Sequence, residues 1–325
     1  MPDRPTPADF ERIVLGDEAV HTGRAIAELL DWPVDDLKRL WRALGFPEPD
    51  TSVVMFTDAD ATAVGLVKLA VDHGVIDIDT AVDSARAIGQ TMARLADWEI
   101  SVLGPKPAPG ESHSELAERR LEEAAQLLTE MGPVFEELLV YSWRRHLAAS
   151  LARYGVDTDN EDEQTSDKTV GFADIVQFTA LSNEIGEDKV GDLIELFESR
   201  CQDVVAAAGG RIIKSLGDSV LFVVDDAVAA LDIADGIINV IGRDSRMPDI
   251  RIGLSSGPVA QRLGDVFGPA VNRAARLTGV ARRNRVIIDE ATAELLPKDR
   301  FEVRRLPARP LRGFGLVEPV AVRRV

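Results

Sequence analysis

A chain of 325 residues, 45% of them hydrophobic, is long enough to fold as two ordinary globular domains. Its formal net charge of −18 repels nucleic-acid phosphates and anionic lipid heads, which argues against nucleic acid as a partner while leaving room for a local basic patch. The single cysteine, Cys201, excludes an internal disulfide and any multi-cysteine metal site.

The opening Met-Pro-Asp-Arg-Pro-Thr-Pro lacks the charged-then-apolar pattern of a signal peptide, and no apolar run approaches the about 18 residues that cross a bilayer. A cytoplasmic location is the expectation. From Phe10 to about Asp97 the apolar residues recur at helical spacing, broken by Gly and Pro, which predicts an all-helical domain. Within it, Thr22 to Phe46 resembles a helix-turn-helix, with a turn at Asp31-Trp-Pro33 and a second helix carrying Lys38, Arg39 and Arg42. The alternative is a helical hairpin that only packs, and the acidic neighbours Asp35 and Asp36 favour it.

A helix over Ala81–Leu103 follows, then a stiff loop at Gly104-Pro-Lys-Pro-Ala-Pro-Gly110. Ser114–Tyr154 is a long amphipathic pattern with a break or kink expected at Gly132-Pro133. Its second part, from Val134, is apolar on more than one side. It reads as a dimer-forming or domain-bridging helix, or as a core helix of the first domain. His146 in that helix is the titratable residue best placed to alter dimer geometry, the alternative being a solvated histidine. The acidic stretch Asp157–Asp167 carries no large apolar side chain and reads as a linker. The expected domains are therefore 1–155, a linker at 156–167, and 168–325.

Beyond the linker, strands and helices alternate. Lys168–Val176 reads as a strand, Val190–Ala208 as a helix holding Cys201 as a buried inert thiol, and Arg211–Val224 as a hairpin turning at Gly217. Helices at Asp226–Ile241 and Ala270–Ala281 and strands at Asp249–Ser255, Arg285–Ile288, Phe301–Leu306 and Val317–Val322 complete a ferredoxin-like order. The fold class is thus α+β, one sheet covered by helices, preceded by an all-α domain. All four histidines lie in the N-terminal half, so the C-terminal half has no histidine base or metal ligand of its own.

Asp174 interrupts an apolar strand, and Asp218 opens the second strand of the hairpin. Two buried carboxylates need compensation, and hard oxygen ligands without cysteine or histidine suit magnesium or manganese. Such ions bridge to phosphates, so a nucleoside triphosphate is the natural third party. The amides of Phe178 and Thr179, at a helix start, could hold its terminal phosphates. Asn272 and Arg276 share one helix face, with Asp265 in a loop before them.

The motifs Phe172-Ala-Asp174-Ile-Val-Gln-Phe-Thr179, Lys214-Ser-Leu-Gly-Asp218 and Asp265-Val-Phe-Gly-Pro-Ala-Val-Asn272-Arg-Ala-Ala-Arg276 resemble the class III nucleotide cyclases, soluble bacterial class IIIc, across most of 168–325. The resemblance implies that Asp174, Ile175 and Asp218 hold two metal ions, magnesium or manganese. It also implies that Lys214 and Asp265 read the purine, that Asn272 orients the ribose and that Arg276 stabilises the transition state. Arg312 is a further candidate for the triphosphate tail. Gln177 stands where Gly is common, a departure expected to be harmless. A lysine donor and an aspartate acceptor complement adenine and mismatch guanine, so ATP is the expected substrate and cyclic AMP the product. Lys214 and Asp218 flank one turn, while the base edge and α-phosphate of one ATP are well separated. A two-fold homodimer sharing its sites between chains is the consequence, and the resemblance agrees. The N-terminal half is similar to class IIIc regulatory domains, which implies pH, lipid or small-molecule control. Two alternatives are a diguanylate cyclase, whose Gly-Gly-Asp/Glu-Glu-Phe turn is absent, and a DNA-binding regulator with a nucleotide-sensing domain.

Overall fold

The computed structural model describes residues 7–48, 50–103, 113–154, 165–262 and 264–325. The chain divides into two compact units, Met1–Arg153 and Tyr154–Val325. The loop expected at 104–110 and most of the acidic linker fall outside the described residues.

The first unit runs α1 (Pro7–Leu15), β1 (His21–Thr22), α2 (Gly23–Leu29), α3 (Val34–Ala43), β2 (Val54–Phe56), α4 (Asp58–Asp72), α5 (Ile78–Leu103) and α6 (His113–Tyr154). It is mostly helical, with one departure: β1 and β2 form a short antiparallel ribbon. Thr22 ends that ribbon and caps α2 by accepting the Ala25 amide, so the same residue closes the strand and opens the helix. Ile26, Leu37, Leu40, Phe56, Val64 and Val82 form the core, and the rings of Phe56 and Trp41 pack edge to face with centroids 4.8 Å apart. The basic side chains of α3 are engaged by carboxylates: Lys38 and Arg42 by Glu48, Arg39 by Asp36 and Asp79. The cations of the would-be recognition helix are thus paired inside the unit, as a hairpin that only packs would have them.

α6 passes through Pro133 without ending, so of the expected break or kink the break does not occur. A proline interrupts one backbone hydrogen bond, and the turns on either side carry the helix on. Val134, Leu138, Tyr141, Trp143, Leu147 and Leu151 are exposed, so in the single chain this is no core helix. His146 is exposed on the same stretch. Among the described residues, no helix is long and apolar enough to cross a membrane.

The second unit contains β3 (Thr165–Ile175), α7 (Phe178–Ile185), α8 (Glu187–Ala207), β4 (Arg211–Ser215), β5 (Ser219–Val224), α9 (Ala227–Gly242), β6 (Ile250–Arg262) and β7 (Asp265–Phe267). It continues with α10 (Pro269–Val280), β8 (Val286–Ile288), α11 (Glu290–Glu294), β9 (Phe301–Arg305), β10 (Arg309–Leu311), β11 (Gly315–Val317) and β12 (Val320–Arg324). The sheet order is β4-β5-β3-β6-β8-β12-β9, and its first four strands with α8 and α9 form a ferredoxin-like unit. β3 starts at Thr165, three residues inside the expected linker, because Thr165–Lys168 pair with Gly257–Ala260 of β6. The single strand expected at Val317–Val322 is two, divided at Glu318-Pro319: β11 pairs with β10, and β12 with β8 and β9.

Strand alternation separates two cores. Ala173, Ile175, Val220 and Phe222 face α8 and α9, where Phe197, Cys201, Ile233 and Ile237 pack on them. Burial pushes the Cys201 thiol up to about 12, leaving it inert. Val170, Phe172, Leu221 and Val223 face α10 through Ala270 and Ala274. α10 lies hard against β6: a Cβ on Gly253 would stand 2.3 Å from the Thr278 nitrogen and 2.5 Å from the Ala274 oxygen. A glycine at that position sets the height of the helix above the sheet.

Candidate active site

Asp174 lies at the end of β3 on the face that α10 covers, opposite Ser219 of β5 and Arg251 of β6. Only 8% of the residue is exposed. Its Oδ1 accepts the Ser219 hydroxyl at 2.5 Å, and its Oδ2 accepts Nε of Arg251 at 2.6 Å. Asp218 occupies the β4–β5 turn, which Gly217 makes possible with φ 67, and its carbonyl accepts the Ile175 amide at 3.0 Å. Burial first, and the nearby Asp174 second, raise the Asp218 carboxyl above its ordinary value. Two carboxylates that repel each other at a partly buried edge fit a divalent cation. The side chain of Ile175 faces the α8 and α9 core, so only its backbone carbonyl could join them.

Lys214 and Asp218 do not serve each other. Lys214 Nζ donates to Asp265 Oδ2 at 2.5 Å, and both side chains keep about a third of their surface exposed. Asp265 opens β7 beside β6. Burial works to raise its carboxyl, but the Lys214 bond, the Val266 amide and the lysine charge together hold it below its ordinary value. The pairing depends on a β-bulge. Ile212 faces Phe222, yet Lys214 faces Leu221, so Ile213 is an extra residue on β4. A regular ladder would set Lys214 opposite Val220, on the α8 and α9 core. The bulge turns it to the α10 face instead.

Asn272 and Arg276 are exposed on one side of α10, with no side-chain hydrogen bond or ion pair among the described residues. Arg273 between them reaches Asp289, a carboxylate with 3% of its side chain exposed, at 3.1 Å. It also lies 5.1 Å from the Phe314 ring, in the β10–β11 turn that carries Arg312. Asp289 in addition accepts Ser255, the Thr292 amide and the Thr292 hydroxyl, and caps α11. Phe178 packs against the main core and Thr179 is exposed, both in the first turn of α7. Gln177 before them is left-handed, φ 58 and ψ 33, which costs a non-glycine residue about 1 kcal/mol. The structure therefore gathers Asp174 with Asp218 and Lys214 with Asp265. Asn272 and Arg276 stand exposed on α10, bonded to neither pair among the described residues.

Arg251, Ser219, Asp289 and Gln177's conformation escaped the sequence reading. Arg251 had a signal, a charge inside the apolar run Ile250–Leu254 that needs a buried partner.

Residues 7–147 match the family described as the adenylate cyclase regulatory domain, and residues 161–321 the adenylate and guanylate cyclase catalytic domain. An adenylate cyclase of Streptomyces coelicolor is 37% identical, covering 95% of this chain and 87% of its own. The chain belongs to the class III adenylate cyclase family. An adenylate cyclase of Glutamicibacter nicotianae is 34% identical over 97% of this chain and 82% of its own. One from Streptomyces griseus is 33% identical over 98% and 88%. The likeness to these cyclases thus spans both units. Catalytic domains of class III use divalent metal, which agrees with the carboxylate pair at the end of β3.

Proposed function

We propose that this adenylate cyclase converts ATP to 3′,5′-cyclic AMP and pyrophosphate at sites shared between two copies of the chain. The observation that carries the choice of substrate is the Lys214–Asp265 pair. Adenine presents an acceptor at N1 and a donor at its 6-amino group. Lys214 donates to the first and Asp265 accepts from the second, whereas guanine reverses both and leaves two charged groups mismatched.

Asp174, Asp218 and the carbonyl of Ile175 would hold two divalent ions, magnesium or manganese. When bound, the ions supply positive charge that eases ionisation of the ribose 3′-hydroxyl and offsets the triphosphate. The amides of Phe178 and Thr179 hold the terminal phosphates at the start of α7. Asn272 orients the ribose so that the 3′-oxygen lies in line with the α-phosphorus. The new bond joins that oxygen to phosphorus, the bond to the bridging oxygen breaks, pyrophosphate leaves, and the hydroxyl proton passes to solvent. Arg276 neutralises charge growing on the α-phosphate. Arg251 donates to Asp174 in the chain alone, so a cation on Asp174 would share or replace that bond, leaving the guanidinium as a further positive charge beside the triphosphate. Arg312 addresses the triphosphate tail.

In this reading residues 1–155 regulate a catalytic domain extending from the linker to Val325, and pH, lipid or a small molecule acts through the helical unit. The exposed apolar face of α6 supports an assembly of two chains. The neutralised cations of α3 count against a DNA-binding role. The deciding experiment is formation of cyclic AMP from ATP with manganese, compared with GTP. A protein making neither cyclic nucleotide would overturn the proposal.

A further inference from the structure

We propose that Arg283 is a positioning residue for the phosphate-binding turn. Through Gln177 it holds the chain left-handed and so keeps the amides of Phe178 and Thr179 directed at ligand. The inference rests on reading that turn as the triphosphate edge of the site.

Gln177 joins β3 to α7 in a conformation that side chains other than glycine adopt at a cost. Its carbonyl accepts the amides of Ala180 and Leu181, both at 3.1 Å, which fixes the helix but leaves the two preceding amides without a partner in the turn. A left-handed residue followed by helical ones makes successive N–H groups converge into an anion-binding concavity. If Gln177 relaxed to negative φ, those amides would swing apart. Something must offset the strain, and the side chain that could cap α7 makes no cap bond. Instead Gln177 Oε1 accepts Nη2 of Arg283 at 2.6 Å.

Arg283 is itself anchored. Its Nη1 lies 3.5 Å from Asp249 Oδ2, while Asp249 Oδ1 accepts Nδ2 of Asn284 at 2.6 Å. The Asp249 carbonyl accepts the Val176 amide at 2.8 Å, adjacent to Gln177. The connections therefore close a ring: Val176 and Gln177, Arg283 and Asn284, and Asp249 between them. Asn284 is also left-handed, φ 53, and is tied to Ile250 through both its side chain and its backbone. A ring that braces two strained residues against one carboxylate can carry the turn's geometry in a way that a lone exposed pair could not.

The test uses the full-length protein and two readouts, steady-state turnover of ATP and calorimetric binding of pyrophosphate with manganese. Arg283→Ala should raise KM for ATP and Kd for pyrophosphate about fivefold while kcat stays within about twofold. Gln177→Ala should do the same without touching Arg283, and Arg283→Lys should recover part of the loss. In a Gln177→Gly background, where glycine takes the left-handed conformation unaided, Arg283→Ala should change neither constant further. Equal weakening in both backgrounds would mean that Arg283 acts on phosphate directly, and that sinks the proposal. So does an unchanged Kd in Arg283→Ala. Absence of cyclic AMP from the parent protein would remove the cyclase reading, while the pyrophosphate titrations would still judge the turn.

Discussion

Lys214 donates to Asp265 at 2.5 Å because β4 carries one residue more than β5 opposite it. Were Ile213 paired with Leu221 instead of bulged, the lysine would fall opposite Val220 and be driven toward the core formed by Val220 and Phe222. Deleting Ile213 leaves Lys214 opposite Leu221 in a regular ladder, so kcat/KM for ATP should fall by about tenfold or less, whereas Lys214→Ala should lower it by about a hundredfold or more, with circular dichroism beside the assay to check that both sheets are folded. Exchanging the pair, Lys214→Asp with Asp265→Lys, puts an acceptor at purine N1 and a donor at position 6. ATP turnover should fall by a similar factor and the ratio of GTP to ATP turnover should rise. A retained ATP preference in the exchanged protein would show that other residues read the base.

Asp218 contributes to function at a cost to stability. Burial and Asp174 raise its carboxyl above the ordinary value of 3.8, so the native state holds its proton more tightly than the unfolded state does. The sign follows: stability declines as pH rises from that ordinary value through the raised one, and the full penalty is present at neutral pH. Asp218→Asn should remove the penalty and raise Tm in metal-free buffer at pH 7. It should also lower cyclase activity about a hundredfold or more, because one of the two carboxylates that hold divalent cation is gone. Manganese should raise Tm of the parent protein and leave that of Asp218→Asn nearly unchanged. Scanning calorimetry with and without manganese reads both effects.

How much of this was legible in the sequence depends on the range of the interaction. Asp174 inside an apolar strand and Asp218 after Gly217 announce themselves locally, because charge in a hydrophobic run needs an explanation wherever the chain goes. The long strands and α8 to α10 are set by periodicity over many residues. α7, β7, β10 and β11 span eight residues or fewer, too short for a period to rise above noise. The β1–β2 ribbon joins residues more than thirty positions apart, and its strands carry almost no pattern of their own. The bulge at Ile213 is a property of two strands together and cannot be read from either. The left-handed conformation of Gln177 and its hydrogen bond to Arg283, a partner 106 positions away, leave no local mark in the sequence beyond a residue standing where glycine is common.

Asp289 should be the most costly buried polar group to remove from the second unit. It accepts Ser255, Thr292 and Arg273, and Thr292 in turn meets Ser256, which meets Thr169 of β3. Asp289→Ala leaves the guanidinium of Arg273 without its carboxylate and uncaps α11, a loss of roughly 3–5 kcal/mol. Asp289→Asn keeps the cap and the hydroxyl partners and should cost less than half as much. Urea unfolding followed by far-ultraviolet dichroism measures both. Because Arg273 sits beside Asn272 and packs on Phe314, either change should also lower kcat more than it raises KM.

Sharing of sites between chains predicts a specific yield on mixing. Asp174→Ala abolishes the carboxylate half of a site, and Arg276→Ala the α10 half, so each variant alone should be inactive. Random exchange at equal concentrations makes half of the dimers mixed. In a mixed dimer one site collects both lesions and the other collects none. The mixture should therefore recover about one quarter of the parent's specific activity. Recovery should follow the rate of chain exchange, measured by energy transfer between labelled subunits. If each chain completed its own site, every site in the mixture would carry one lesion and no activity would return despite full exchange. The exposure of Asn272 and Arg276, which have no side-chain partner among the described residues of their own chain, favours the quarter.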